Sequence, residues 1–139
     1  MGSMKKIESN IEYIQYPIEK VFSRLSDLNN LAALADKLPK DKIQDMECTT
    51  DTVSFSVAPV GKITLQIVER EEPKCIKIEG VNTPVGLTFW LQLVSTGETS
   101  CKTKATAQID ANMFMAQFIE KPIKEGLDKA VFALTKINY

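Results

Sequence analysis

The sequence predicts an α+β fold in which a curved antiparallel sheet of about seven strands wraps around one long C-terminal helix. The last thirty residues, 110–139, carry apolar side chains three and four positions apart, a spacing that gathers them on one stripe of a helix. At least five runs before them alternate apolar and polar residues, as half-buried strands do. A helix of this length must bury its stripe, and only the preceding sheet is large enough to cover it. We expect a space between the two layers, and we look for function there.

The length of 139 residues suits one domain with its own core, which we assign to residues 4–139. Met1–Ser3 resembles the remnant of an expression tag. The net charge of -1, with lysines scattered along the chain, predicts neither a nucleic-acid partner nor an anionic membrane surface. No run approaches the length of a membrane span, and the N-terminus lacks the apolar centre of a signal peptide. We therefore expect a cytoplasmic protein without a membrane span.

Histidine is absent from the sequence, and this excludes several kinds of chemistry at once. It rules out Ser-His-Asp and Cys-His catalysis, a histidine general base and histidine-ligated metals. Cys48, Cys75 and Cys101 lie far apart and form no CxxC pair, so neither a disulfide framework nor a four-thiolate zinc site is expected. A cysteine in a strand is more often a small buried apolar residue than a reactive thiol. We predict no metal and no cofactor.

The first strand and the helices after it follow from local patterns. Residues 5–15 alternate between apolar and polar side chains, which predicts a half-buried strand. Pro17 ends this strand, because proline donates no ladder hydrogen bond, and it then suits the first turn of a helix. The buried face of that helix consists of Ile18, Val21, Phe22, Leu25 and Leu28. A second short helix is predicted from Asn29 to Leu38, where Pro39 closes it.

From Lys42 onward the apolar period changes from three and four to two, which predicts a series of strands. The alternating runs are 52–57, 62–67, 76–79, 87–94 and 101–110, with turn-forming residues between most of them. Short strands joined by tight turns indicate an antiparallel meander with one apolar face. In the C-terminal helix, Pro122 removes one backbone hydrogen bond, so we expect a bend there.

Two segments and the order of the elements resemble a known superfamily. The first segment is the strand Ile7-Glu8-Ser9-Asn10-Ile11-Glu12, and the second runs from Tyr16 to Leu31. The second is similar to a family pattern in which Pro-x-x-x-Val-Phe opens a helix and Asp-x-x-x-Leu follows. The chain thus resembles the START-like or Bet v 1-like superfamily (SRPBCC), whose members include polyketide cyclases, lipid-transfer domains and Hsp90-activator domains. The resemblance covers residues 4–139 and implies a helix-grip fold with a hydrophobic cavity between the sheet and the long helix.

The inward positions of the strands and of the long helix are the candidates for lining that cavity. From the strands we expect Phe55, Val57, Leu65, Ile67, Leu87, Phe89, Leu91, Thr103 and Ala105, and from the helix Met113, Phe114, Phe118 and Leu127. For each of them the alternative is an ordinary place in a closed core. The last strand turns the small residues Thr103, Ala105 and Ala107 inward, which permits either close packing against the helix or an open space.

A few polar and aromatic residues are candidates for other contacts. Tyr13, Tyr16, Arg24 and Arg70 carry groups that could hydrogen-bond a polar end of a ligand. For both arginines a surface charge is the alternative. By strand alternation Trp90 lies on the outer sheet face, where an exposed tryptophan suggests a partner contact such as a homodimer. Partial cover by neighbouring lysine stems is the alternative for Trp90.

The leading hypothesis is a carrier or sensor that binds a small hydrophobic ligand, lipid-like or polyketide-like, in the cavity that the resemblance implies. A cyclase-type or dehydratase-type enzyme is the second hypothesis, and it requires a tyrosine or an inward carboxylate as general acid or base. The third is a protein-interaction module of the Hsp90-activator type, with Trp90 and the outer sheet face as its contact surface. A fold of this kind serves many activities, so the site itself must decide among them.

Overall fold

The structure is a computed structural model, and it describes residues 3–30, 43–57, 61–83, 86–111 and 113–139. Within these ranges the side chains of residues 3, 43, 57, 111, 113–117 and 119 are not described. The predicted second short helix lies almost wholly outside the described residues, and so does the turn at Pro59 and Val60.

Eight strands and two helices make up the described part of the chain. The strands are β1 (Ser3–Glu8), β2 (Glu12–Ile14), β3 (Ile43–Cys48), β4 (Thr52–Val57), β5 (Gly61–Glu71), β6 (Cys75–Gly80), β7 (Gly86–Gly97) and β8 (Ser100–Ala111). The helices are α1 (Ile18–Leu25) and α2 (Met113–Leu134). The strands pair antiparallel in the order β1-β8-β7-β6-β5-β4-β3, and β2 also pairs with β8. The predicted class, an α+β helix-grip fold with an antiparallel sheet, is confirmed.

The first predicted strand is interrupted near its middle. Instead of one run over residues 5–15, β1 and β2 pair separately with β8 and are divided at residues 9–11. The buried hydroxyl of Ser9 accepts a hydrogen bond from the Ala105 N–H at 2.9 Å and donates to the Asn10 carbonyl at 2.8 Å. The Ser9 N–H in turn donates to the Ala105 carbonyl at 2.8 Å. The Ser9 side chain thus provides hydrogen-bond partners for two backbone groups, the Ala105 N–H and the Asn10 carbonyl, at the point where the strand pairing is interrupted. The strand can therefore break here without leaving these groups unpaired.

Helix α1 buries its predicted face and ends at a clamp made by Arg70 of β5. Its buried residues are Ile18, Val21, Phe22 and Leu25. The Nε and Nη2 atoms of Arg70 donate to the carbonyl of Ser26, the residue after α1, at 3.0 and 2.8 Å. Nη2 also donates to Asp51 Oδ1 at 2.6 Å and to the Thr50 carbonyl at 3.3 Å. Because the last carbonyls of a helix lack partners within it, Arg70 stabilises the end of α1 and ties it to the β3–β4 turn.

Helix α2 is shorter at both ends than the predicted span of residues 110–139. Asp110 and Ala111 belong to β8, where they pair with β1. At the other end the helix stops at Leu134, and the Tyr139 hydroxyl folds back to donate to the Leu134 carbonyl at 2.7 Å. The apolar spacing continues past Leu134, but the chain there turns back to cap the helix.

A polar cluster fastens α2 to the break between β1 and β2. Asp128 accepts a hydrogen bond from the Asn10 N–H at 2.7 Å. Lys124 Nζ lies 2.9 and 3.0 Å from the two carboxylate oxygens of Asp128 and 3.3 Å from Asn10 Oδ1. The hydrogen bond from Lys124, followed by that from the Asn10 N–H, holds the pKa of the Asp128 carboxyl below its ordinary range.

The described core consists of two clusters of buried side chains. The larger joins α1 to the sheet and contains Ile14, Ile18, Val21, Phe22, Leu25, Leu28, Val53, Ile67, Ile76, Leu93, Cys101 and Leu134. The smaller joins β1 and β8 to α2 and contains Ile7, Ala105, Ala107, Ile109, Leu127 and Val131. Neither of the described helices is long and apolar enough to cross a membrane.

Candidate functional site

A cavity of about 510 Å³ lies between the sheet and α2. Its volume falls within the range of roughly 300–1,000 Å³ that is usual for small-molecule sites. The described residues that line it are Leu25, Leu28, Met46, Phe55, Leu65, Ile76, Ile78, Phe89, Trp90, Leu91, Ala105, Pro122, Ile123, Gly126, Leu127, Ala130, Val131, Ala133 and Leu134. None of these residues has an ionisable side chain, and only Trp90 carries a hydrogen-bond donor on its side chain. The described wall is therefore apolar.

Strand register builds the sheet side of the cavity from rows of side chains. One row crosses four strands and consists of Ile67, Ile78, Phe89 and Ala107. The next row crosses three strands and consists of Ile76, Leu91 and Ala105. Directly paired residues point to the same face of a sheet, so the separate apolar runs of the sequence become one continuous wall.

The small residues of β8 produce close packing at one position and open space at another. Ala107 is fully buried in the smaller core cluster, against α2. Ala105, two residues earlier on the same face, belongs to that cluster and also lines the cavity. Thr103 is buried, and its hydroxyl donates to the Gln92 carbonyl at 3.1 Å. The sequence left packing and open space as alternatives, and both occur along this strand.

One edge of α2 both lines the cavity and faces solvent. Pro122, Gly126 and Ala130 are exposed, and each also contributes to the cavity wall. A Cβ atom built on Gly126 would meet no atom within 4 Å. A spacing of four places these residues in line along the helix. The cavity opens to solvent beside this line, and we call the opening the mouth.

The predicted lining residues fall into groups according to where the structure places them. Those that line the cavity are Phe55, Leu65, Phe89, Leu91, Ala105 and Leu127. Those that pack in the core beside it are Ile67, Leu87 and Thr103. The side chains of Val57, Met113 and Phe114 lie outside the described part of the structure. The described sheet positions thus lie at or beside the cavity.

Phe118 differs from the prediction, because its side chain is 65% exposed and is not part of the described wall. The reason is the geometry of the helix. Phe118 and Leu127 are nine residues apart, about two and a half turns at 3.6 residues per turn, so they point to opposite sides of α2. Residues chosen along a helix by spacings of three and four do not stay on one side, because their positions drift around the helix over several turns.

Part of the wall comes from α1, β3 and the turn after α1, and no pattern in the sequence assigned these residues to the cavity. Leu25 and Leu28 line the cavity together with Met46. Helical spacing did place Leu25 and Leu28 on a buried face, but it does not indicate which surface covers that face. Met46 lies in residues 44–47, where the β3–β4 register shifts and Asp45 has a φ of 55°. This irregularity hides the alternation that would have revealed an inward residue.

Three of the four polar candidates make contacts elsewhere in the fold. Tyr13 is 59% exposed and pairs with Lys102 of β8. Tyr16 packs edge-to-face against Tyr139, with ring centroids 5.4 Å apart. Arg70 clamps the end of α1. None of the three belongs to the described cavity wall.

Arg24, the fourth candidate, lies in a separate groove of about 540 Å³ whose described residues all carry a polar group on the side chain. The groove is lined by Glu19, Lys20, Ser23, Arg24, Asp27, Asn30 and Tyr139. Arg24 Nε is buried and has no hydrogen-bond partner among the described residues. Burial raises the pKa of the Tyr139 hydroxyl well above its ordinary range; Cys101 adds to the rise and Arg24 opposes it. Two acidic and two basic side chains share this groove, so it shows no preference for an anion.

Trp90 contributes to both faces of the sheet. Its pairing partners Lys77 and Thr106 place the side chain on the face away from α2, and Lys77 Nζ lies 5.9 Å from the centroid of a Trp90 ring. Trp90 nevertheless belongs to the cavity wall. Since Phe89 and Leu91 on either side point inward, we attribute this contribution to the main chain of Trp90. The side chain is half-buried rather than freely exposed.

The described residues offer neither a metal site nor an activated thiol. No group of three or more His, Cys, Asp or Glu side chains among them could hold a metal ion. Cys48, Cys75 and Cys101 are free thiols, and burial is the main cause that raises the pKa of each. Nearby glutamates add to the rise for Cys75 and Cys101. A raised pKa keeps a thiol protonated and unreactive at neutral pH.

An antiparallel sheet packed on a C-terminal helix over an apolar cavity is the arrangement of the START-like or Bet v 1-like superfamily, which confirms the resemblance found in the sequence. Over residues 4–135 the sequence matches the family described as polyketide cyclase / dehydrase and lipid transport, and the chain belongs to that family. No curated protein matches the sequence.

Solved structures share the fold over nearly the whole chain. Norcoclaurine synthase from Thalictrum flavum, in complex with dopamine and hydroxybenzaldehyde, has a TM-score of 0.78 and 16% identity, over 97% of this chain and 86% of its own. An aromatase/cyclase from a Streptomyces species has a TM-score of 0.74 and 12% identity, over 96% of this chain and 93% of its own. A START superfamily protein from Mycobacterium smegmatis has a TM-score of 0.70 and 12% identity, over 96% of this chain and 94% of its own. Identities this low show a shared fold alone.

Proposed function

We propose that the protein binds a small, uncharged, apolar ligand in the cavity between the sheet and α2, as a carrier or sensor. The observation that carries the proposal is a space of about 510 Å³ whose described wall contains no ionisable side chain. Protein interiors are packed as densely as organic crystals, so a stable fold does not need an empty space of this size. A bound ligand would account for it. The family description includes lipid transport, which supports the proposal.

The wall selects the chemistry of the ligand. A charged group moved from water into these surroundings without a partner would lose several kcal/mol of hydration. Apolar surface gains about 25 cal/mol for each Å² removed from water, and the rings of Phe55 and Phe89 provide such contacts. A polar end of the ligand would therefore lie at the mouth, beside Gly126 and Ala130, where water can reach it.

Acid–base catalysis is less well supported by the described geometry. Cyclase and dehydrase chemistry, which the family description also includes, needs a general acid or base next to the ligand. The described wall contains no such group. Tyr13, a candidate for that role, pairs with Lys102 on the outer sheet face, and Tyr16 packs against Tyr139. Binding is the function that the described residues favour.

A titration with Nile red, an uncharged dye whose fluorescence rises in apolar surroundings, tests the proposal. The wild type should bind the dye saturably, with one molecule per chain. Gly126→Leu should weaken binding, because the new side chain enters the open space at the mouth. Loss of burial for about two ligand methylenes, roughly 1.6 kcal/mol, lowers affinity about fifteenfold.

Glu125→Leu is the matched control, because the neighbouring residue is exposed, lies outside the described wall and receives the same side chain. Thermal unfolding of both variants verifies that the fold persists. The proposal fails if the wild type shows no saturable binding, or if the two variants bind the dye equally well. Native mass spectrometry of protein purified from cells then identifies the natural ligand as a discrete added mass.

A further inference from the structure

The outward side of α2 combines exposed aromatic rings with lysines. Side chains at spacings of three and four share one side of a helix, and here they form a face that we call the α2 outer face. It consists of Phe118, Lys121, Glu125, Lys129 and Phe132 of the helix, together with Lys136 of the turn that follows it, all of them exposed. Phe118 and Phe132 are 65% and 52% exposed. Lys136 Nζ lies 4.9 Å from the centroid of the Phe132 ring, so a cation and a ring stand together at one end of the face.

The mouth of the cavity borders the α2 outer face. Pro122, Gly126 and Ala130 each follow directly after a charged residue of that face, and each lines the cavity. The apolar opening and the basic, aromatic surface are therefore neighbours along the same helix. A partner that covers the α2 outer face would also lie next to the opening.

The charge of this face selects its partner. Three lysines and one glutamate lie on it, whereas the whole chain carries a net charge of -1, so the positive charge is local. A second copy of the chain would bring the same lysines together, and like charges oppose such contact. Lysine ammonium groups interact favourably with anionic lipid headgroups, and exposed aromatic rings enter the boundary between headgroups and acyl chains.

We propose that the α2 outer face docks on anionic lipid membranes and holds the mouth of the cavity at the lipid surface. Docking depends on the face alone. Its use, the exchange of an apolar ligand with the bilayer without passage through water, rests on the proposed function. The net charge gave no sign of this face, because it averages the lysines of the face with acidic residues, among them Glu120 and Asp128 of α2 itself.

Vesicle co-sedimentation tests docking, with vesicles of phosphatidylcholine alone and of phosphatidylcholine mixed with phosphatidylglycerol. The wild type should bind the anionic vesicles more tightly than the neutral ones, and less tightly as the ionic strength rises. Replacement of Lys121 and Lys129 by Gln should lower the partition coefficient about fivefold per lysine. Replacement of Phe118 and Phe132 by Ser should lower it as well, because the rings no longer insert.

The matched control replaces Tyr13 and Val94 by Ser. These two side chains are 59% and 53% exposed, but they flank Lys102 on the outer sheet face, away from α2. Their removal should leave vesicle binding unchanged. The proposal is overturned if the α2 variants bind vesicles as the wild type does, or if neutral and anionic vesicles bind equally. It is also overturned if the wild type binds no vesicle and the Phe118 and Phe132 substitutions dissociate a dimer.

Nile red titration of the same variants separates docking from the cavity. The α2 outer face lies outside the described wall, so its variants should keep the wild-type affinity for the dye. Vesicle binding without dye binding by the wild type would contradict the proposed function and leave docking intact. Dye binding without vesicle binding would contradict docking alone.

Discussion

Arg70→Met removes the clamp at the end of α1 while it keeps a side chain of similar length. The wild-type guanidinium donates twice to the Ser26 carbonyl, at 3.0 and 2.8 Å, and once to Asp51 Oδ1 at 2.6 Å. A hydrogen bond that involves a charged group contributes about 1.5–3 kcal/mol, and an exposed ion pair about 0–1 kcal/mol. The side chains of Arg70 and Asp51 are 34% and 56% exposed. Solvent screening therefore favours the lower part of both ranges, and we expect a loss of about 2 kcal/mol.

Urea unfolding followed by circular dichroism measures this loss. It corresponds to a decrease in Tm of about 7 °C for a chain of this length. Arg70→Lys keeps the charge but not the planar fork, so it should recover only part of the stability. Asp51→Asn should cost less than about 1 kcal/mol, because it removes only the exposed ion pair.

The affinity for Nile red distinguishes a clamp from a ligand contact at this position. If Arg70 acts as a clamp, the folded Arg70→Met protein should bind the dye as the wild type does. Wild-type stability combined with weaker dye binding would refute the reasoning. That result would support the interpretation from the sequence in which Arg70 hydrogen-bonds a polar end of the ligand.

Four further predictions concern glycine positions and titrating groups. Gly126→Ala should raise the free energy of unfolding by about 0.5–1 kcal/mol, because its Cβ meets no atom within 4 Å and alanine favours a helix. Gly61→Ala has the same free space but a φ of +100°, so it should lower the free energy of unfolding by about 1 kcal/mol or more; urea midpoints measure both. The pKa of Asp128 is lowered in the fold, so its contribution is complete above the unfolded pKa of about 3.9 and is lost as the pH falls through the folded pKa. The free energy of unfolding, measured from about pH 5 down to pH 2, should therefore fall less steeply in Asp128→Asn than in the wild type. The pKa of Tyr139 is raised, so the wild type should lose stability as the pH rises past about 10. Tyr139→Phe should flatten that alkaline decline, and at neutral pH it should cost about 1 kcal/mol through the lost hydrogen bond to Leu134.

Most of the sheet could be predicted from the sequence, because the period of two does not drift along a strand that has no bulge. Side chains alternate with a period of two, so Phe55, Leu65, Phe89 and Leu91 stay on one face however long the runs are. The helix period of 3.6 does drift, and Phe118 was consequently placed on the wrong side of α2. Short-range pattern thus positioned the sheet side of the cavity better than the helix side.

Features that depend on distant partners could not be predicted. Ser9 looks like one member of an alternating run, and only its hydrogen bond with Ala105, 96 residues away, explains why the strand breaks there. Arg70 looks like part of a charged surface run, and its role follows only from the position of Ser26, which the fold brings to it. The residues next to Ser9 and Arg70 in the sequence contain no information on these long-range contacts.

The pairing of the first strand with the last imposes an order on folding during synthesis. Ser3 pairs with Ala111, and no other described strand borders β1. β1 therefore has no sheet partner until β8 has left the ribosome, whereas β3 to β7 pair with neighbours in sequence and need not wait. Closure of so long a loop is slower than the formation of hairpins. The nascent chain thus carries an unpaired first strand until β8 has emerged, and the cavity between the sheet and α2 forms only after α2 has followed.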